Sequence, residues 1–450
     1  VDFTGGTNTG GLVGWDSDSV FENCDVSGKV YGIRCTGGLA GYGEGTFFMD
    51  CGASCTVSGE SLTLSSSSLT MAGGLLGYGQ GVEIQRNYAL GNVFCTTGAY
   101  EGSSSGTVYV GGLVGCLNQS LVQYSTAKGN VSGKTSAVSA AGDCYSGGLV
   151  GYLHQCWISD SYSTGVVFAD TTLLDPATTP PVTGIGKAYA GGISGFGITP
   201  TIERVYARGE CNALSGQGIG YAGGILGAYS FGQILNSVAA SPLLTMSLHG
   251  IDGRIGRICG TETGVFSSDY ALETMLLRVN GVLVEPESDP THKDGGSAPL
   301  STLQDPEFYS ALDWNIGGVW KMDESGYPAL NWESRIVIET KPVILESPES
   351  VIAELGDRVT LTVKASGGNL GYLWWHDDVI LPDQTQRTLI IESLQKADLG
   401  SYWVLVFNSM GIAMSDVATV SLDVPPPPVS KLRMVNPALE AEGTRFVFEA

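Results

Sequence analysis

The sequence is poor in charge. Only 15% of its 450 residues are Asp, Glu, Lys or Arg, against roughly 25% in an ordinary globular chain. Basic residues are the scarcest, 22 against 45 acidic, which gives a formal net charge of −23. That shortage excludes a nucleic-acid binder, which needs a basic footprint to displace phosphate counterions. It also sets the chain against anionic membrane surfaces. Proline is limited to 18 residues and glycine does not recur at strict thirds, so collagen is excluded. The four histidines, His154, His249, His292 and His376, include no His-Glu-x-x-His pair, so the zinc-peptidase signature is absent. Disorder is excluded from the other side, because 43% of residues are hydrophobic and mean hydropathy is +0.13. The chain opens at Val1 without Met and closes on an apparent strand, Phe446-Val-Phe-Glu-Ala450. It reads as a piece of a longer protein, so the lack of a signal or spanning segment carries no weight.

What is abundant is glycine, 65 residues, about twice the usual ~7%. It is positional. A block, Gly10-Gly-Leu-Val-Gly14, recurs from Gly37, Gly73, Gly111, Gly147, Gly191 and Gly223, with a degenerate eighth from Gly256. The intervals are 27, 36, 38, 36, 44, 32 and 33 residues, in the range of repeat architectures. With the first glycine as offset zero, three apolar columns stand nine residues apart. Offset +2 holds Leu12, Leu39, Leu75, Leu113, Leu149, Ile193, Ile225 and Ile258. Offset +11 runs from Phe21 to Ile234, and offset +20 from Val30 through Cys211 to Leu243. No helix repeats that way, and the intervening residues suit short strands. The expected fold is all-β: a three-sided, right-handed parallel β-solenoid of about eight coils over residues 1–272. Glycines at offsets zero, +1, +4 and near +18 are assigned to its corners, for positive φ or very close backbone approach.

Length varies only between offset +20 and the next block, in segments 58–72, 94–110, 132–146, 168–190, 212–222 and 244–255. These insertions stack into one loop-rich edge, the expected binding face. Residues 273–340 leave the period and carry Phe308, Tyr309, Trp314, Trp320, Tyr327 and Trp332. They are assigned as a cap and connector over the last open coil, with an aromatic platform for sugars as the alternative.

From 341 to 424 the composition changes. The pattern Gly356…Val359-x-Leu361-x-Val363, Tyr372-x-Trp374, Leu389-x-Ile391, Asp398-x-Gly400-x-Tyr402-x-Val404 and Asn408-x-x-Gly411 resembles immunoglobulin-like domains. That resemblance implies a β-sandwich with Trp374 as its buried strand-C tryptophan and Tyr402 as its tyrosine corner. Both disulfide cysteines are absent, with Val363 and Val404 in their places. Pro425–Pro428 opens a stiff linker over 425–430, and 431–450 begins a further domain.

The glycine blocks resemble the GLUG-motif family. The resemblance implies a large secreted or surface-attached bacterial protein, adhesin-like or accessory to a peptidase. It assigns these repeats no catalysis and brings no functional residues with it.

The chemistry of sites is sparse. Gly102-Ser-Ser104-Ser-Gly106 and Gly218-Ile-Gly220-Tyr-Ala-Gly223 match the nucleophile elbow and dinucleotide fingerprints only as strings, without their strand and helix context. Asp16 and Asp18 read as solvated surface rather than calcium ligands, since no loop signature follows. At offset +13, Asp50 with Arg86 and Asp160 with Arg204 read as cross-strand ion pairs. Asp160 with Glu203 is the one nearby carboxylate pair for a carbohydrate-active enzyme. Cys24 and Cys51 share offset +14 on adjacent coils and could form a disulfide. The reading is therefore a non-enzymatic structural and binding segment, extracellular or cell-surface, without metal or cofactor. Its partner is a protein or glycan, and it neither binds nucleic acid nor inserts into membrane. The alternatives are a β-solenoid glycoside hydrolase or polysaccharide lyase, or the accessory region of a secreted peptidase.

Overall fold

The computed structural model describes residues 2–63, 69–99, 106–136, 142–172, 186–216, 218–248, 253–335, 341–367, 370–377, 379–381, 384–408 and 411–423. The linker expected at 425–430, the segment 431–450, His249, most of the Gly102–Gly106 string and the middles of the insertions lie outside them. The chain divides into two compact units, Val1–Ser334 and Arg335–Ala450.

The first unit is built by pairing each repeat with the next. Short strands ending on the first block glycine, from Asn8–Gly10 through Leu69–Gly73 to Gly253–Gly256, form an eight-stranded parallel sheet. Strands beginning three residues after that glycine, from Val13–Ser17 to Leu226–Ser230, form a seven-stranded parallel sheet. The remaining strands of each repeat join a 23-stranded sheet. Its pairs are parallel except for the closing hairpin of Leu276–Val279 and Val282–Val284. Register keeps step with the block, so Gly37 faces Gly73, Gly73 faces Gly111 and Gly111 faces Gly147.

The apolar columns fill the inside. Leu39, Leu75, Leu113, Leu149, Ile193 and Ile225 are fully buried, each such side chain stabilising by about 1.5–3 kcal/mol. Leu12 departs from the expectation at 56% exposed, because its repeat stands at the edge of both shorter sheets. The last column shifts by one residue in the seventh repeat. Cys211 pairs with Leu244, which is buried, rather than with Leu243. The extra residue enters at Ser241-Pro242.

At the corners the block glycines meet the expectation of close approach but not that of positive φ. Positive φ falls at offset +8 (Asp18, Gln119, Gln155, Thr199 and Phe231, with Gly45 and Gly81) and at offset +13 (Asn23, Asp50, Arg86, Tyr124, Asp160, Arg204 and Asn236). Most of these are not glycine. The block glycines serve close approach instead. A Cβ on Gly73 would collide with the Leu76 carbonyl and lie 2.6 Å from the Gly115 nitrogen of the next repeat. At the +13 bend a polar ladder satisfies the amides. Cys51 N donates to Asn87 Oδ1 at 2.8 Å, Asn87 N to Ser125 Oγ at 3.1 Å, and Ser125 N to Ser161 Oγ at 3.0 Å. The possible Cys24–Cys51 disulfide is not present. Both thiols are free, with Cys24 N 3.5 Å from Cys51 Sγ.

Residues 273–299 lie against the eighth repeat. Lys293 O accepts the amides of Ile258 and Cys259 that would otherwise bond a further repeat. The aromatic segment that follows does not close this end. It runs back along the flank of the long sheet. Trp314 Nε1 donates to Asn236 O at 2.8 Å, Trp320 Nε1 to Asp160 Oδ1 at 3.3 Å, and Trp332 Nε1 to Tyr124 O at 2.9 Å. All three acceptors belong to +13 residues, where the bend turns polar groups outward. This strap covers a column of rings at +15. Tyr327 meets Tyr206 at 5.9 Å, Trp320 meets Tyr162 at 6.1 Å and Trp332 meets Tyr88 at 6.4 Å. Glu333 fastens its end, accepting from Lys128 Nζ at 2.6 Å and the Tyr162 hydroxyl at 2.7 Å.

The second unit has a core of its own. Gly371–His376, Gly400–Asn408, Ala418–Leu422 and Val351–Ala353 are joined in one sheet, and Val359–Thr362 pairs with Thr388–Ile391 outside it. Trp374 is buried and donates Nε1–H to Gln386 O at 2.9 Å. Tyr402 is buried and its hydroxyl donates to Asp398 O at 2.7 Å. Val363 and Val404 are buried in the same cluster. Among the described residues no helix is long and apolar enough to cross a membrane.

Candidate functional site

Alternation along the strands decides what faces outward. In the eight-stranded sheet, offset −1 points into the core (Ala72, Val110, Ala190, Ala222). Offset −2 points out and reads Asn8, Cys35, Met71, Tyr109, Tyr145, Tyr189, Tyr221 and Arg254. In the seven-stranded sheet, offset +5 points out and reads Trp15, Tyr42, Tyr78, Cys116, Tyr152, Phe196 and Ala228. In-register pairing lines each set into a column.

The two columns converge into the walls of one groove. Within a wall, Tyr42 and Tyr78 stack at 5.0 Å, Tyr145 and Tyr189 at 4.6 Å, and Tyr189 and Tyr221 at 4.6 Å. Across the groove, Tyr109 meets Tyr152 at 4.8 Å and Tyr189 meets Phe196 at 5.2 Å. Such ring pairs contribute about 0.5–1.5 kcal/mol beyond their burial. They form clusters apart from the main core. Trp15 stands at one end, 56% exposed.

Where small residues interrupt the columns, the groove opens into a cavity of about 580 Å³. Cys35, Met71 and Cys116 form its floor, Tyr42, Tyr78, Tyr109 and Tyr152 its sides. Burial pushes the Cys35 thiol up to about 11 and Cys116 well above the ordinary thiol range. Both are neutral thiols and weak nucleophiles. The rim is polar and contains no carboxylate, with Thr7, Asn8, Arg34, Asn118 and His154. Asn118 is held in place, donating Nδ2–H to Gln80 Oε1 at 2.6 Å and accepting the His154 Nδ1 proton at 2.8 Å. An amide ladder continues beside it from Gln80 to Gln119 at 3.0 Å and on to Gln155 at 3.2 Å. Burial, reinforced by Asp143, raises Tyr145 far above the phenol range, so its hydroxyl donates to Asp143 Oδ2 at 2.9 Å.

The sequence reading weighed His154 only for a zinc-peptidase pair and assigned none of these residues to a binding surface. The signal existed in the aromatic recurrence at offsets −2 and +5, outside the three columns that were followed. The expected loop edge is in part strand: segments 58–72 and 94–110 take in the ends of Gly52–Thr63 and Val93–Ala99 and most of Leu69–Gly73 and Thr107–Gly111, so their last residues belong to a groove wall.

The candidate carboxylates sit elsewhere, under the strap. Arg204 binds Asp160 through Nε at 3.0 Å and Nη2 at 2.9 Å, and Glu203 through Nη2 at 2.7 Å. Asp50 and Arg86 pair in the same two-pronged way, at 2.8 and 2.7 Å. Asp160 and Glu203 are thus drawn together by one guanidinium, and Asp160 is buried. Asp16 is buried rather than solvated, bonded to the Thr46 hydroxyl, and burial raises its pKa. Among the described residues no group of three metal-ligating side chains is present. In the second unit, Trp375 and Trp403 stack at 4.7 Å, while Phe407, Ile412 and Met414 are exposed.

Comparison with known proteins gives a family match within the second unit. The immunoglobulin domain family matches residues 341–408. Mouse (Mus musculus) cartilage intermediate layer protein 2 is 31% identical over 90 residues, which is 19% of this chain and 8% of that protein. The chain therefore spans a small part of that relative's length. Among solved structures, Sidekick-1 immunoglobulin domains 1–5 align at 30% identity over 19% of this chain and 18% of that one, with a TM-score of 0.18. The Ig1–2 module of the Drosophila receptor protein tyrosine phosphatase DLAR aligns at 27% identity over 18% and 46%, with a TM-score of 0.17. The chain is all-β with few helices and contains an immunoglobulin-like domain.

Proposed function

We propose that this chain is a non-catalytic binding segment of a large extracellular or surface-attached bacterial protein. In this reading the first unit is a right-handed, three-sided β-solenoid of GLUG-type repeats that displays a recognition groove. Three parallel sheets in register with the block support the solenoid, and parallel crossovers are almost always right-handed. The GLUG resemblance supports the bacterial surface setting, and the immunoglobulin-like domain supports an adhesive one. One observation carries the function. The repeat unit builds two outer columns of rings beyond its core and leaves their groove uncovered by its own strap. Half-buried rings in a row, led by the exposed Trp15 and rimmed by amides and a guanidinium, are the composition of a recognition surface. The partner is a protein or glycan.

The test is solution binding of the intact chain to a panel of glycoproteins, glycans and whole cells. Saturable binding is expected, and the double variant Trp15→Ala, Tyr42→Ala should weaken it at least tenfold. Inertness across the panel would reduce the chain to a spacer. Binding that ignores the double variant would move recognition away from the groove.

A further inference from the structure

We propose that the cavity over Cys35, Met71 and Cys116 is a slot for a pyranose ring bearing a carboxylate, an acidic sugar residue of a glycan. This rests on the groove being a binding surface and adds the ligand class.

The slot is a missing rung. Along one wall the order is Tyr78, Cys116, Tyr152, each pair in register. Neighbouring strands stand about 4.8 Å apart, so the two tyrosines are anchored ~9.6 Å from each other, a gap that Tyr109 of the facing wall enters from the Tyr152 side at 4.8 Å. On the facing wall, Cys35 and Met71 precede the run of tyrosines that begins at Tyr109. The resulting 580 Å³ falls within the roughly 300–1,000 Å³ of small-molecule sites.

Its chemistry selects among rings. A pyranose has an apolar C–H face and a hydroxyl edge. The sulfur floor and tyrosine sides suit the face, and the amide, hydroxyl and imidazole rim suits the edge. With Asn118 Oδ1 taking the Nδ1 proton, His154 presents Nε2 as an acceptor for a hydroxyl. A plain aromatic ring would fill the floor but give the rim nothing to bond, leaving its polar groups desolvated and unpaired, which weakens binding. Charge narrows the choice again. In a chain of net charge −23, this cavity is lined by Arg34 and no carboxylate. A guanidinium grips a carboxylate in two-pronged fashion, so an acidic sugar fits where a neutral one leaves Arg34 unused.

The experiment is titration of the intact chain with a sialylated trisaccharide, a galacturonate trisaccharide and neutral lactose. At least one acidic sugar should bind at least tenfold more tightly than lactose, and Arg34→Gln should erase that preference. Cys116→Tyr restores the ring its neighbours carry and should abolish sugar binding while leaving the melting temperature unchanged. Equal affinity for lactose, unchanged affinity in Cys116→Tyr, or tighter binding of an aromatic peptide would each overturn the slot. If the acidic sugars fail while cells or glycoproteins still bind through Trp15 and Tyr42, the ligand class is wrong and the groove stands. If all fail, both readings fall.

Discussion

The repeat unit grows aromatic columns on two outer faces, and they meet different fates. On the long sheet, Tyr88, Tyr162 and Tyr206 lie beneath residues 300–334, and Tyr162 and Tyr206 are buried. On the two shorter sheets, Trp15, Tyr42, Tyr78 and Tyr152 face a groove that no described segment of the first unit crosses. The same local rule, a ring at a fixed offset, therefore serves two purposes. What separates them is whether the chain supplies a cover. The covered column is part of the fold, joined to the core through Trp314 and Trp320. The open column is the one we propose for a partner.

Substitutions on the two sides should differ accordingly. The largest effect is expected for Trp320→Ala. Its ring is fully buried between Tyr162, Trp314 and Asp160, so denaturant titration should show a loss of about 3–5 kcal/mol. Next comes Gly73→Ala, beside the corner where the two groove walls join. The added methyl has no room against the Leu76 carbonyl, and overpacking of this kind costs about 1–3 kcal/mol. A smaller, pH-dependent effect belongs to Asp269, fully buried at the end of the polar ladder. Burial holds its carboxyl well above 3.8, partly offset by the Ser237 and Ser267 amides. Its folded-state pKa is raised, so its contribution is full below the unfolded value and lost as pH rises through the folded one. Asp269→Asn should therefore flatten the decline of stability with rising pH above 3.8, as read by melting temperature across a pH series. The smallest change in stability, within about 0.5 kcal/mol, is expected for Trp15→Ala on the open column. That variant should lose binding instead. A stability loss there as large as at Trp320 would erase the distinction between the two columns.

Much of the architecture was legible because burial is written in one residue type per offset. Leucine or isoleucine at +2 survives every repeat and an apolar residue at +11 the first seven, and the immunoglobulin-like pattern around Trp374 and Tyr402 is equally plain. The rest was hidden for physical reasons. The bends at +8 and +13 are carried by residues such as Arg86, Tyr124 and Gln155, whose identities give no hint of positive φ. Their strain is offset by neighbour-to-neighbour hydrogen bonds that exist only after stacking. The groove columns are broken by Cys35, Met71, Cys116 and Ala228, so a search for one constant residue passes over them. The first three of those breaks line the cavity. The strap has no period, and its tryptophans read as an end cap until the carbonyls of Tyr124 and Asn236 appear as their acceptors. Pro242 moves the last apolar column by one residue, a shift visible only in the pairing of Cys211 with Leu244.

The most direct test of the contrast is oxidative footprinting of the intact chain, read residue by residue, with and without a ligand from the binding panel. Trp15, Tyr42 and Tyr78 should label in the free protein and become protected on binding, while Trp314, Trp320 and Tyr309 stay unlabelled in both. Labelling of Trp320 as fast as Trp15, or protection that falls wholly outside the groove, would contradict the account.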